Sequence, residues 1–154
     1  LSDLPLLKQG DLSRHLLLEE FKKQENGILL GTDSFWEGVD VAGEALRLVI
    51  IVKLPFPVPS DPLLQARSEA LKEQGKDPFL EDSVPQAVMK FKQGFGRLMR
   101  RKDDRGCVLC LDQRLFARSY GKIFLRSLPD CIVSYNPKDL IINEMKQFYK
   151  NPGC

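Results

Sequence analysis

Four residues near the middle of the chain have the side chains and the spacing that phosphate chemistry requires. They recur at i, i+3, i+4 and i+7, which places them on one face of a helix. They are Gln93, Gly96, Arg97 and Arg100. A guanidinium is permanently charged and forked, so it matches phosphate oxygens, and a glycine lets a ligand approach the backbone closely. Two arginines on this face indicate a phosphate chain, with a solvated basic face as the simpler alternative.

The helix that must present these residues is predicted at 83–102. Ser83 is its expected N-cap, with Pro85 in the first turn and Gln86 placed as in a capping box. The opposite face is apolar and is predicted to pack on a sheet. Its members are Val84, Val88, Phe91, Phe95, Leu98 and Met99. Seven Lys or Arg stand against two Asp between 90 and 105, although the whole chain has a formal net charge of only +2. The basic charge is therefore concentrated in this segment.

A second polar segment, GTDSFWEGVDVAG at 31–43, directly follows a predicted strand at 27–31. In doubly wound sheets, ligands bind at the carboxyl ends of the strands, which is where this segment lies. Thr32 offers a hydroxyl and a backbone N–H to a phosphate oxygen. Gly38 permits a backbone conformation that other residues resist, and Asp40 could accept hydrogen bonds from ribose hydroxyls. The segment is therefore a second candidate ligand site.

The other side chains that could bind a ligand or react can also be explained by a structural role. Phe35 and Trp36 suit stacking on bases or packing beneath the sheet, and packing is favoured for Trp36. Cys107 and Cys110 are spaced like a metal pair. Residues three apart in a strand point to opposite faces, however, so we expect structural thiols and no metal site. His15 has no partner in its predicted helix, and a surface position is expected.

Hydrophobic runs alternate with helical patterns, which predicts an α/β fold with a mostly parallel sheet covered on both faces. A Pro-rich crossing at 55–62 excludes regular structure there. Strands are predicted at 4–7, 27–31, 47–54, 106–111 and 131–135. Helices are predicted at 11–23, 62–74, 83–102, 114–125 and 137–149.

Length and composition indicate one globular domain over 1–154. The chain can bury a real core but is too short for two comfortable domains. Its longest apolar run, 48–52, is far shorter than the about 20 residues that a membrane span needs. Four dispersed cysteines favour a reducing, cytoplasmic setting. The first residue is not Met, so we expect a piece of a larger protein.

Both polar segments resemble motifs of superfamily-two helicases. Residues 32–40 match the T-D-x-x-x-x-G-x-D pattern of motif V, and residues 93–100 match the Q-x-x-G-R-x-x-R pattern of motif VI. The segments SFWEGVD, LPFPVPSDPLLQAR and GFGRLMRRKDDRG are similar to the DinG/XPD family, nearer its bacterial DinG-like members. The similarity covers roughly Gln9 to Asp130, with both motifs in the right order.

The resemblance implies a RecA-like three-layer sandwich: the second motor domain of an ATP-dependent DNA helicase, without Walker motifs of its own. It implies that Arg100 is the arginine finger on the γ-phosphate, with Arg97 and Gln93 beside it. The residues implied to bind nucleotide are Gly38, Asp40 and Gly96. The residues implied to contact single-stranded DNA are Thr32, Asp33, Phe35 and Trp36.

The sequence contains no G-x-x-x-x-G-K-[ST] phosphate loop and no D-E-A-H segment. ATP and its Mg²⁺ would therefore be bound mainly by an N-terminal RecA-like domain of the same polypeptide. The resemblance places any iron–sulfur cluster in that part of the protein too, and none in this chain. We expect this chain alone to hydrolyse ATP at no useful rate.

Two other functional classes compete with a motor domain. A nucleic-acid-binding module without motor activity would use the basic segment and the two adjacent aromatics. A nucleotide-sensing scaffold would need a degenerate ATPase partner. The Gln and Gly on the arginine face disfavour the first class, and the intact Arg97 and Arg100 disfavour the second. A role in DNA repair or replication and 5′-to-3′ movement rest on the resemblance, while RNA as the substrate, an additional nuclease domain and the oligomeric state stay open.

Overall fold

The protein consists of pairs of parallel strands flanked by helices. The computed structural model describes residues 4–24, 26–36, 41, 46–98 and 105–151. Strand β1 (Leu6–Lys8) pairs in parallel with β2 (Ile28–Leu30), and β3 (Leu48–Ile51) pairs in parallel with β4 (Cys107–Cys110). The predicted α/β organisation with parallel strands is therefore confirmed. The helices are α1 (Arg14–Lys23), α2 (Pro62–Glu73), α3 (Val84–Leu98), α4 (Arg114–Ala117), α5 (Gly121–Ser127) and α6 (Lys138–Lys150).

Two short helical turns accompany these elements within the described ranges. A 3₁₀ turn, Asp33–Trp36, follows β2, and a π-helical turn, Phe79–Ser83, runs directly into α3. The helix in this region thus begins earlier than predicted, and the N-cap assigned to Ser83 is wrong. The Asp77 carboxylate accepts a hydrogen bond from the Phe79 N–H at 2.8 Å. Because the helical segment begins at Phe79, Ser83 lies inside it and not at its start.

The core lies in two clusters on either side of the 3₁₀ turn. The larger cluster joins β3, α3 and α5, and in it the Phe91 and Phe124 rings meet edge to face with centroids 5.4 Å apart. The smaller cluster lies beneath β1 and β2 and contains Leu17 and Phe21 from α1. Because adjacent residues of the 3₁₀ turn enter different clusters, this turn holds the two halves of the described structure together. The fully buried side chains that anchor the clusters are Phe91, Phe124, Leu17 and Val84.

The strand predicted at 131–135 is absent, and that prediction is wrong. The segment has no regular structure, and Ile132 is 99% exposed. Its polar and aromatic side chains bond elsewhere: Ser134 donates to Glu144 of α6 at 2.6 Å, and Tyr135 stacks on Phe116 at 4.2 Å. An apolar run becomes a strand only where a neighbouring strand can pair with it. Here the segment instead runs beside α6.

The helix predicted at 114–125 is divided into α4 and α5. Arg118 has an extended backbone with φ −113° and ψ 147°, which ends α4. Gly121 then begins α5 so close to the Leu115 carbonyl that a β-carbon at this position would lie 1.9 Å from the oxygen. The break is therefore imposed by a close backbone approach that only glycine permits.

The carboxyl ends of β3 and β4 are tied together by Asp112, whose side chain is 7% exposed. Its carboxylate accepts a hydrogen bond from the Leu54 N–H at 2.8 Å and a charge-assisted one from the Arg114 guanidinium at 2.6 Å. The bond from Arg114 is the largest cause that lowers the pKa of Asp112 from 3.8 to about 2, although burial acts against it. The charged form is thus the one that the fold stabilises.

Replacing Asp112 with Asn should lower the free energy of unfolding at pH 7 by roughly 2 kcal/mol, since one pKa unit corresponds to about 1.4 kcal/mol. The folded-state pKa is depressed, so this stabilisation is present above pH 4 and is lost as the pH falls from about 4 towards about 2. Urea unfolding at pH 7, 4 and 3 should show the gap between wild type and Asp112→Asn closing with acid. The exposed Asp130→Asn is the control, and a gap independent of pH would contradict the assignment.

Candidate functional site

The predicted phosphate face of α3 is open to solvent where the structure describes it. Gln93 is exposed, and the Arg97 Nε donates to the Gln93 carbonyl at 3.4 Å, among other contacts of this guanidinium. A β-carbon built at Gly96 would meet no atom within 4 Å. Arg100, the predicted finger, lies outside the described residues. The helix therefore brings Gln93, Gly96 and Arg97 to one accessible surface.

The buried face of α3 is rotated slightly from the predicted one. Val84, Phe91 and Leu98 are buried as expected, whereas Val88 and Phe95 are only half-buried. Ala87 and Gly94 take their places in the interior. Phe95 instead borders a shallow groove of about 280 Å³. The groove is lined by Lys92, Phe95, Gly96, Ser127, Leu128 and Pro129.

Gly94 is the point at which α3 meets the segment after β2. A β-carbon at this position would lie 3.0 Å from two ring carbons of Trp36. The indole is half-buried and packs against the larger core cluster, which agrees with the packing favoured for it from the sequence. The two helical glycines thus differ: Gly94 accommodates a ring of the fold, whereas Gly96 faces open space.

A salt bridge joins the same two elements one turn away. The Lys90 ammonium lies 2.6 Å from the Asp33 carboxylate, and the two side chains are 36% and 35% exposed. Asp33 was predicted to contact DNA, but a free carboxylate would repel a phosphate backbone. The Lys90 cation compensates that charge, so the pair can lie near nucleic acid at little electrostatic cost.

Thr32 is held by a residue that the sequence did not reveal. Gln9 follows β1 and accepts hydrogen bonds from the Thr32 N–H at 2.8 Å and from the Thr32 hydroxyl at 3.1 Å. The Gln9 amide also donates to the Ser34 hydroxyl at 3.3 Å. The carboxyl ends of parallel neighbours lie together, so a polar residue after the predicted strand at 4–7 was the available signal.

Phe35 does not share the exposure of its neighbours. Its ring is 7% exposed and packs with Leu17, Phe21 and Val41, while the Arg14 guanidinium covers it at 5.2 Å from the centroid. Its position therefore favours a packing role over the stacking on bases that the sequence suggested. The predicted nucleotide ligands Gly38 and Asp40 lie outside the described residues.

The described residues contain no group of three or more His, Cys, Asp or Glu that could hold a metal ion. Cys107 and Cys110 are free and half-buried, and burial raises the pKa of the Cys110 thiol. His15 is exposed and lies 3.7 Å from Glu19 on the next turn of α1.

Among the described residues, no helix is long and apolar enough to cross a membrane.

Comparison with known proteins identifies the chain's family. The sequence model of the helicase C-terminal domain matches residues 1–131. The chain belongs to this family. The helicase domain is 51% identical over 150 residues to the ATP-dependent DNA helicase YoaA of Haemophilus influenzae, covering 97% of this chain and 23% of that protein. It is 54% identical over 126 residues to YoaA of Escherichia coli, covering 82% and 20%. It is 45% identical over 135 residues to a Bacillus subtilis protein named 3′-5′ exonuclease DinG, covering 86% and 14%.

These similarities confirm the resemblance to DinG-like helicases and the RecA-like fold class of the helicase C-terminal domain. The chain spans about a fifth of the length of the two YoaA relatives. Within that length the helicase domain contains both motif segments, and in the described structure the 3₁₀ turn contacts α3 directly.

The two glycines of α3 provide a matched pair of variants. Gly96→Ala should raise the free energy of unfolding of this chain by about 0.5–1 kcal/mol, because alanine has less backbone freedom to lose from the unfolded state and its methyl group would face open space in the helix. Gly94→Ala should lower it by about 1–3 kcal/mol, because the Trp36 ring must move out of a packed site. Urea unfolding of both variants measures the difference. Equal stabilisation by the two substitutions would show that the ring does not constrain Gly94.

Proposed function

We propose that the full-length protein is an ATP-driven translocase or helicase on single-stranded DNA and that this chain, 1–154, is its C-terminal motor domain. The observation that carries the proposal is the direct attachment of the motif V segment to the motif VI helix through Asp33–Lys90 and Trp36–Gly94. A motor needs its DNA-facing and nucleotide-facing parts on one rigid unit, and this attachment supplies that unit. The names of the YoaA relatives support the same class of activity.

The nucleotide would be shared between this domain and an N-terminal RecA-like domain. In the proposed site, Arg100 is the arginine finger that neutralises charge developing on the γ-phosphate, with Arg97 and Gln93 beside it. Gly96 leaves room for the phosphates because its surroundings are open. Gly38 and Asp40 complete the nucleotide contacts.

Single-stranded DNA would lie against the segment after β2. Gln9 Oε1 accepts the N–H and the hydroxyl hydrogen of Thr32, and the Ser34 hydroxyl lies 2.8 Å from the Thr32 hydroxyl. In this proposal a phosphate oxygen of the DNA replaces Gln9 as the acceptor of these Thr32 donors. Trp36 is half-buried, so only its exposed edge could meet a base. Phe35 supports the segment from the core.

The catalytic Lys, the Mg²⁺ ligands and any iron–sulfur cluster belong, in this proposal, to other parts of the polypeptide. The described residues do not fit such groups, since they contain no cluster of metal-ligating side chains. Mg²⁺ would supply charge neutralisation at the β- and γ-phosphates when the two domains meet. A cytoplasmic role in DNA repair or replication is consistent with this assignment.

Arg100→Ala in the full-length protein should reduce DNA-stimulated ATP hydrolysis by a factor of about 10³–10⁵, because an arginine finger acts in the transition state. Binding to single-stranded DNA should persist. The measurement is turnover with and without single-stranded DNA, with Arg126→Ala, a cation on α5, as the control. Unchanged turnover in Arg100→Ala would move the finger to Arg97. Steeply salt-dependent DNA binding without turnover in wild type would instead favour a binding module.

A further inference from the structure

Two contacts of different character attach the 3₁₀ turn to α3. Asp33 meets Lys90 as an ion pair at 2.6 Å, and Trp36 lies against Gly94. A 3₁₀ helix repeats every three residues, so Asp33 and Trp36 project from the same side of the turn. Lys90 and Gly94 are separated by four residues and share a side of the α-helix. One side of the 3₁₀ turn therefore faces one side of α3, and the two elements are attached at two points.

The ion pair contributes little to global stability. Pairs between groups exposed to this extent contribute about 0–1 kcal/mol, and salt weakens them further. Its effect is geometric. With the Trp36 contact alone, the turn could pivot on the flat ring, whereas a second attachment one helical turn away fixes its rotation relative to α3.

Lys90 is also aligned with the phosphate face. It precedes Gln93 by three residues and Arg97 by seven, so all three lie along one side of α3. A displacement of Asp33 is therefore applied to the same side of the helix that presents Gln93 and Arg97. Thr32, the proposed DNA ligand, directly precedes Asp33 in the chain.

We infer that the Asp33–Lys90 ion pair transmits occupancy of the segment after β2 by single-stranded DNA to the nucleotide-facing side of α3, with Lys90 as a positioning residue. This inference rests on the proposed motor function. It assigns Lys90 no contact with DNA, nucleotide or the reacting atoms. Loss of the pair should uncouple DNA binding from hydrolysis while each partial activity survives.

The test uses the full-length protein and three measurements: ATP turnover without DNA, turnover with saturating single-stranded DNA, and DNA affinity by fluorescence anisotropy without ATP. Lys90→Ala should leave DNA-free turnover within about twofold of wild type and should reduce the stimulation at saturating DNA at least about fivefold, the lower end of typical coupling between sites. Its DNA affinity should fall, because the Asp33 carboxylate is no longer compensated. The charge-neutral double variant Asp33→Asn/Lys90→Ala should bind DNA within about twofold of wild type. Lys90→Arg should retain stimulation, because a guanidinium can still pair with Asp33.

Two further variants separate the pair from general charge effects. The double variant Asp33→Asn/Lys90→Ala should lose no more stimulation than the more affected single variant, since both substitutions remove one interaction. Lys92→Ala removes a cation two residues away that forms no ion pair with any residue in the described ranges, and it should keep its stimulation.

Several results would overturn the inference. Wild-type stimulation in Lys90→Ala would show that the pair transmits nothing. A parallel fall in DNA-free and stimulated turnover, together with a lower Tm, would reduce Lys90 to a structural role. Weakened DNA affinity in Asp33→Asn/Lys90→Ala, in which no carboxylate is left uncompensated, would make Lys90 a direct DNA contact. Absence of DNA stimulation in wild type would contradict the proposed function and this inference with it.

Discussion

The close approach of the Trp36 ring to Gly94 is the contact on which the arrangement of the candidate site depends. A side chain at Gly94 would meet the ring at 3.0 Å, so the segment after β2 can reach α3 only because this helix lacks a β-carbon at that turn. Glycine inside a helix costs about 0.5–1 kcal/mol relative to alanine. The cost is offset by burial of the indole against the larger core and by the attachment of two motif segments to each other.

Around this contact, the carboxyl ends of the strands are held by side chains rather than by strand pairing alone. Asp112 accepts the Leu54 N–H after β3, and Gln9 accepts the Thr32 N–H after β2. A backbone N–H just beyond the end of a strand has lost its acceptor in the sheet and needs another one. A side-chain carboxylate or amide oxygen provides that acceptor without restricting the rest of the loop. At the end of each strand pair, a side-chain oxygen thus accepts a backbone N–H that no longer pairs within the sheet.

The electrostatics of the site follow from which charges are compensated. The Asp112 side chain is largely covered, and the Arg114 guanidinium beside it lowers its pKa to about 2, so it remains charged and stabilises the ends of β3 and β4. Asp33 is only half-buried and is compensated by Lys90 from another element. The first pair is local in sequence and stabilises a strand end, whereas the second spans 57 residues and connects two motif segments. The two ion pairs therefore differ in effect because of how far apart their residues lie in the sequence, and less because of the residue types that form them.

Local periodicity and short motifs were enough to predict the α/β class, the parallel strands, the amphipathic character of α3 and the family. They could not predict that Gly94 accommodates Trp36, that Gln9 holds Thr32, that Phe35 is buried or that 131–135 forms no strand. These outcomes depend on contacts between residues far apart in the chain. Periodicity indicates which side of a helix or strand is apolar, but the residues that this side contacts depend on the neighbouring element. In the same way, an apolar run forms a strand only where another strand is available to pair with it.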